Sequence, residues 1–157
     1  MRVRVGQGFD VHRFVDDADR PLVLGGVTFE SERALAGHSD ADVVAHACAD
    51  ALLGAAGLGD IGQLFPDTDP AWAGADSLEL LAEATRRVRA AGWEPGNVDA
   101  SLVTDHPKIA PHRDEMARRL SAAVGAPVTV KGRRPEGLGA IGRGEGVACW
   151  AVAVVTR

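Results

Sequence analysis

The run Val3, Val5, Gly8-Phe9-Asp10-Val11-His12 alternates well enough to predict an opening strand. Leu22–Leu24, ended by Gly25-Gly26, and Val27–Phe29 predict a short strand pair. Ser39-Asp40-Ala41-Asp42 has the form of a capping box and opens a helix running to about Ala56. Val43, Val44, Ala47, Ala51 and Leu52 form that helix's apolar stripe, and Gly57 closes it. Residues 59–74, dense in Gly, Pro and Asp, predict an irregular loop of a length that often serves as a functional lid. A second helix spans Ser77–Ala91, with Leu78, Leu81, Ala84 and Val88 at helical spacing, and stops at Gly92. Strands at Val98–Thr104 and Val128–Lys131 flank a helix over Pro111–Val124. The last element, Val147–Val155, is nearly all apolar, and a strand without alternation must be covered on both faces. Helices can cover one face, so the other requires a partner subunit. The pattern therefore predicts an α+β fold, one domain over residues 1–157, with a sheet carrying helices on one face, in a homo-oligomer.

Composition narrows the class. A chain of 157 residues can bury one substantial core, and no internal repeat or linker divides it. Its longest apolar runs fall far short of the ~20 residues that cross a bilayer, which argues against a membrane partner. The start, MRVRVGQGFD, lacks a signal-peptide apolar block, so the expected location is cytoplasmic, or an organelle interior after loss of a transit peptide. Cys48 and Cys149 sit in unrelated apolar contexts, outside any C-x-x-C pair, and read as two buried hydrophobes. The net charge of −5 argues against nucleic acid as the main partner. The charge is unevenly placed: residues 1–78 hold 5 Lys/Arg and 13 Asp/Glu (−8), residues 79–157 hold 12 and 9 (+3). An acidic half suits cations and a basic half suits anions.

Five constellations carry chemistry. Asp10 and His12, two apart on a strand, point to one face, and His46 lies on the first helix with Asp42 and Asp50 four residues to either side. Two histidines and a carboxylate form a zinc set with a fourth position open, and Asp42 or Asp50 is placed to orient the imidazole. Gly37-His38-Ser39-Asp40 precedes that helix, where free N–H groups favour a phosphate; an ordinary N-cap explains the same residues. Asp60-Ile61-Gly62 and Phe65-Pro66-Asp67-Thr68-Asp69 are turn formers whose carboxylates can accept from a polyol. Thr104-Asp105-His106-Pro107-Lys108 ends the middle strand. Lys131-Gly132-Arg133-Arg134-Pro135-Glu136, followed by Gly142-Arg143-Gly144, reads equally as an oxyanion-binding surface or a solvated basic turn.

Taken together, GFDVH, AGHSDADVVAHACADALLGAAGLGDIG, LFPDTDPAWAGADS, NVD, PKIAPH and LGAIGRGEGVA resemble, in order and spacing, the 2-C-methyl-D-erythritol 2,4-cyclodiphosphate synthases. The resemblance runs the length of the chain. It implies an enzyme of non-mevalonate isoprenoid biosynthesis, a phosphorus–oxygen lyase that converts 4-diphosphocytidyl-2-C-methyl-D-erythritol 2-phosphate to the cyclodiphosphate and CMP. It implies a homotrimer whose sheets face the three-fold axis, with active sites between subunits. Asp10, His12 and His46 would hold Zn2+, and Glu136 a second divalent cation, Mg2+ or Mn2+. His38 would act in catalysis, and Ser39 would join it in binding the phosphate and erythritol groups. Asp60, Ile61, Gly62 and the run Phe65, Pro66, Asp67, Thr68, Asp69 would bind methylerythritol. Thr104, Asp105, His106, Pro107, Lys108, Ile109 and Ala110 would serve the cytidine of a neighbouring subunit, and Arg143 would lie near the trimer axis.

The chain departs from the family pattern at one turn, where threonines commonly precede the glutamate. Here the turn reads Arg133, Arg134, Pro135, and Arg134 is the candidate to act on the diphosphate in the hydroxyl's place. Ala140 replaces a phenylalanine near the axis, and Ala41 a glycine. Two alternatives follow: a relative with altered nucleotide or substrate specificity, and a non-catalytic trimer that binds metal and diphosphate.

Overall fold

The computed structural model describes residues 1–157. Seven strands, β1 (Val3–Val15), β2 (Leu22–Leu24), β3 (Val27–Phe29), β4 (Ala34–Leu35), β5 (Glu94–Val103), β6 (Val128–Arg133) and β7 (Gly146–Thr156), combine with five helices. The helices are α1 (Val43–Ala56), α2 (Ile61–Leu64), α3 (Ser77–Ala90), α4 (Arg113–Val124) and α5 (Gly139–Gly142). Five strands form one mixed sheet in the order β4-β1-β7-β5-β6, with β5 and β6 parallel and the other pairs antiparallel; β2 and β3 form a separate hairpin. The α+β class, the single layer of helices and all the long elements agree with the sequence pattern.

The inner face of the sheet is laid down by period-two burial. Val147, Cys149, Ala151, Ala153 and Val155 on β7 are buried with Val98, Ala100 and Leu102 on β5 and Val128 and Val130 on β6. Both cysteines are buried free thiols. Helix α1 supplies the other half of the core, twelve of its residues being buried. It lies directly on β1 because Gly6 and Gly8 have no side chains. A Cβ on Gly6 would overlap the Ala51 carbonyl oxygen, and one on Gly8 that of Ala47. This close approach brings the middle of α1 against the strand that carries Asp10 and His12.

The outer face is apolar and uncovered in the single chain. Val5 is 65% exposed, and Val3, Phe9, Val11, Trp150 and Val152 are exposed with it; the Phe9 and Trp150 rings meet across β1 and β7 at 4.9 Å. The face that the pattern requires a partner to cover is therefore bare.

Four local expectations are corrected. The first helix begins at Val43 with Asp42 as its N-cap, so Ser39 does not form the capping box. The Ser39 hydroxyl instead accepts from the Ala41 N–H in a turn of its own. The loop over 59–74 contains one turn of helix, α2, and a short 3-10 turn at Pro70–Trp72. Strand β5 starts four residues earlier than expected, at Glu94. Strand β1 reaches Val15, since it pairs with β7 along its length and then with β4.

Candidate metal centre and the two cavities

Asp10 and His12 share the inner face of β1 with Gly6 and Gly8, and His46 faces them from α1. The Asp10 Oδ2 lies 3.0 Å from His12 Nε2 and 3.0 Å from His46 Nδ1. One donor atom from each of the three residues falls within 4.8 Å of the others, and no other His, Cys, Asp or Glu cluster converges in this way. Burial works against the Asp10 charge, yet the hydrogen bonds from both imidazoles hold its carboxyl at about 2. The same burial opposes the His12 cation, and Asp10 outweighs it, raising the imidazole above its ordinary value.

Both rings are set for ligation by the partner of their second nitrogen. His12 Nδ1–H donates to the Ala36 carbonyl at 2.7 Å, leaving Nε2 toward Asp10. His46 Nε2 lies 2.8 Å from the Ser77 hydroxyl, which donates onward to Asp40. The serine oxygen therefore accepts from Nε2–H, so that a metal replacing the Nδ1 proton now shared with Asp10 would meet the Nδ1 lone pair. Two imidazole nitrogens and one ionised carboxylate, each with its ring tautomer fixed, suit zinc.

The expected supporting residues are different ones. Asp42 does not touch His46. Buried completely, its carboxylate accepts from the N–H groups of Gly25, Gly26, Val44 and Ala45. This also occupies the helix N–H groups that the sequence suggested for a phosphate. Asp50 accepts from Ile61 N–H at 2.8 Å, and so ties α2 to α1. The residues that do support His46 are Ser77, from the start of α3, backed by Asp40, and Ser39, whose hydroxyl lies 3.3 Å from the same Nε2; Ser39 and Asp40 come from the turn before α1.

A cavity of about 420 Å³ opens over the donor cluster. Of the sequence candidates, Asp10, His12, His38, Ser39, His46, Ile61, Gly62, Phe65 and Asp67 line it. Trp72, whose ring meets Phe65 edge-on at 4.8 Å, and Leu80 complete an apolar wall that the sequence did not single out. Asp60, Pro66, Thr68 and Asp69 shape the loop without lining the cavity. Asp60 caps α2 through Gln63 N–H and Asp69 caps the 3-10 turn through Ala71 N–H. His38 Nε2–H donates to the Asp69 carbonyl at 3.2 Å, which leaves the ring at the cavity's rim.

A second cavity, about 560 Å³, lies between the ends of β5 and β6 and is lined by Thr104, Asp105, His106, Pro107, Lys108, Ile109, Ala110, Arg133 and Arg134. Arg113, which was not anticipated, lines it as well, with Gly132 of the Lys131–Glu136 run. A Cβ on Gly132 would press on the end of the Ile109 side chain, which would have to shift. The Thr104 hydroxyl donates to the His106 carbonyl at 2.6 Å and fixes the loop. Val11 and Val103 both pair with Ala148, so the two cavities open at the same end of the sheet, on either side of β7.

Glu136 and Arg143 join neither cavity in the single chain. Glu136 is exposed on a left-handed backbone (φ 55°), a conformation that costs free energy for a residue with a side chain. Arg143 pairs with Glu145 at 2.6 Å.

Comparison with known proteins agrees with this geometry. The 2-C-methyl-D-erythritol 2,4-cyclodiphosphate synthase of Azoarcus sp. is 57% identical to the chain, and that of Bordetella petrii 55%, each alignment covering 98% of this chain and 96% of the relative. A solved synthase of the same name in a CDP-bound form superposes with a TM-score of 0.86 at 40% identity, covering 98% of this chain and all of that one. The YgbB family profile matches residues 3–156. A match from end to end, by relatives of one name, places the chain in the YgbB family, that of the 2-C-methyl-D-erythritol 2,4-cyclodiphosphate synthases.

Proposed function

We propose that the chain converts 4-diphosphocytidyl-2-C-methyl-D-erythritol 2-phosphate to 2-C-methyl-D-erythritol 2,4-cyclodiphosphate and CMP, in cytoplasmic non-mevalonate isoprenoid synthesis. An oxygen of the 2-phosphate forms a bond to the β-phosphorus, and the bond from that phosphorus to the α-phosphate oxygen breaks as CMP leaves. The observation that carries this reading is the Asp10, His12 and His46 donor set, open to a cavity at the same end of the sheet as a strongly basic one.

Bringing two phosphates together is opposed by charge, so catalysis is mainly neutralisation and alignment. Asp10, His12 and His46 would hold zinc, which supplies Lewis-acid neutralisation of a phosphate oxygen when bound. Glu136 would hold Mg2+ or Mn2+ together with substrate phosphates, as such hard ions are commonly held by one or two carboxylates. His38 and Ser39 donate to the phosphate at the cavity mouth. Ile61, Gly62, Phe65 and Asp67 enclose the methylerythritol, with Trp72 behind them. Thr104–Ala110 bind the cytidine, and Arg133 and Arg134 donate to the diphosphate. The CDP held by the solved relative supports a cytidine nucleotide as ligand.

Three chains would assemble on the apolar face of Val3, Val5, Phe9, Val11, Trp150 and Val152, setting one chain's basic cavity against the next chain's donor cluster. An uncovered apolar face of this kind is a mark of an association surface. The deciding experiment measures CMP release with zinc and magnesium present, alongside sedimentation. Turnover by a trimeric wild type and none by His46→Ala is the expected result. A zinc-loaded trimer that releases no CMP would overturn the proposal.

A further inference from the structure

The metal cavity is poor in permanent positive charge. Asp10 and Asp67 line it, and no lysine or arginine does. The two carboxylates cancel the formal charge that a bound zinc would bring (+2 against −1 and −1), so a phosphate meets a lining of no net charge. The acidic half of the chain, residues 1–78, has five cations: Arg2, Arg4, Arg13, Arg20 and Arg33. Arg4 lies over the Trp93 ring, Arg33 lies over Phe14 and donates to the Gly144 carbonyl, and Arg2 and Arg13 are exposed. Only Arg20 reaches the turn beside the metal ligands.

Arg20 comes from the loop between β1 and β2. Its guanidinium donates to the Ser39 carbonyl, and its charge opposes protonation of His12, a sign of how near it stands. Gly37, His38 and Ser39 line the cavity, whereas Arg20 does not, so the guanidinium backs the turn whose front faces the ligand. No carboxylate neutralises it, although Asp16, Asp17 and Asp19 precede it in the same loop. Its Nε is the one buried side-chain nitrogen or oxygen in the molecule without a hydrogen-bond partner. A guanidinium serving only to tie the loop down would turn its fork to one of those acids. This one keeps an unpaired charge and a desolvated N–H behind the turn, at a cost in stability.

We infer that Arg20 is a positioning residue for the proposed reaction: it holds the Gly37–Ser39 turn through the Ser39 carbonyl, and its unpaired charge draws the substrate's 2-phosphate to the metal cavity. The inference rests on the reaction proposed above for the identity of that anion. Arg20 does not touch the substrate. A charge set one main chain away acts on the phosphate equally before and during bond formation, so its loss raises KM and spares kcat. The same charge opposes a further cation, so its loss leaves zinc affinity unchanged or higher. A residue that only braced the metal ligands would show the opposite sign.

Arg20→Gln keeps an amide donor for Ser39 and removes the charge, while Arg20→Lys keeps the charge on a different donor. Arg86→Gln, on the exposed side of α3, controls for net charge. Three quantities are measured on the full chain. They are zinc affinity by chelator competition, calorimetric affinity for inorganic phosphate with and without zinc, and steady-state CMP release. The zinc-dependent part of phosphate binding separates the metal cavity from the basic one. In Arg20→Gln that part is expected to weaken about tenfold, and KM to rise about tenfold with kcat within about twofold. Both differences should narrow as salt is raised. Arg20→Lys is expected to stay within about threefold of wild type, and Arg86→Gln to match it. Weaker zinc binding in Arg20→Gln overturns the inference, as does unchanged phosphate affinity or a lysine variant no better than glutamine. CMP release with phosphate affinity and KM unchanged in Arg20→Gln defeats the inference and leaves the reaction standing. A wild type that releases no CMP, with phosphate affinity still lowered in Arg20→Gln, defeats the reaction and leaves the anion role.

Discussion

His46 and Ser77 stand 2.8 Å apart, imidazole Nε2 to hydroxyl oxygen, and the same hydroxyl donates to Asp40. The serine thus fixes which nitrogen of His46 faces Asp10, although it is not itself a ligand. Ser77→Ala removes the nearer partner of Nε2, leaving only the Ser39 hydroxyl at 3.3 Å, and loosens the ring. Zinc affinity is expected to fall roughly 10- to 100-fold, with CMP release recovering as zinc is added. Competition with a chelator measures the affinity. An unchanged zinc dissociation constant would show that Ser77 has no orienting role.

The Asp10–His12 pair gives a pH signature in the metal-free protein. Asp10 is depressed from 3.8 to about 2, so its contribution is full above 3.8 and is lost as pH falls through 2. His12 is raised from 6.5, so its contribution is full below 6.5 and is lost as pH rises through the higher folded value. The Tm difference between wild type and Asp10→Asn is therefore expected to be widest between about pH 4 and 6.5 and to shrink on both sides. Thermal melts across that range, with zinc stripped, check the shape; a difference that grows steadily toward pH 9 contradicts it.

Asp42 is a stability residue. Asp42→Asn puts an amide NH2 among four N–H donors and leaves at least one of them without an acceptor. A loss of about 3 kcal/mol in urea unfolding is expected, against a much smaller effect for Asp76→Asn at the exposed cap of α3. Zinc affinity at low denaturant should be retained, since Asp42 does not reach His46.

Arg134→Ala should lower kcat/KM about tenfold or more, consistent with loss of one charge-assisted donor. Steady-state kinetics with saturating metal provide the check, and unchanged constants would mean that Arg134 does not act on the diphosphate.

The parts of the site that depend on local spacing were legible in the sequence. Asp10 and His12 share a face because a strand has period two, and His46 sits in the first turn of a strongly apolar helix. Partners from distant elements were not legible. Ser77 lies 31 residues beyond His46 and reads as the start of another helix, so nothing local connects the two. Asp42 misled for a similar reason: its position four residues from His46 is real, but its carboxylate turns to the Gly25-Gly26 turn. Single-turn elements such as α2 and α5 have too few residues to show a period. Arg113 was hidden among other exposed charges on α4, and only the fold brings it beside Arg133 and Arg134.

Gly8→Ala is expected to cost about 3 kcal/mol, because the new methyl meets backbone that no rotamer change can move. Urea denaturation measures it, and the displaced α1 should weaken zinc binding too.

The seating of α1 on Gly6 and Gly8 also bears on motion. Where a helix rests on a strand through side chains, rotamer hops let the two slide by fractions of an ångström on a fast timescale. Here the contact is backbone against backbone, with no compliant layer between. The separation of His46 from Asp10 and His12 is then as stiff as the main chain itself, and thermal fluctuation must be absorbed elsewhere. The loop that carries Phe65, Asp67 and Trp72 is the part left free to breathe while the donor atoms hold still.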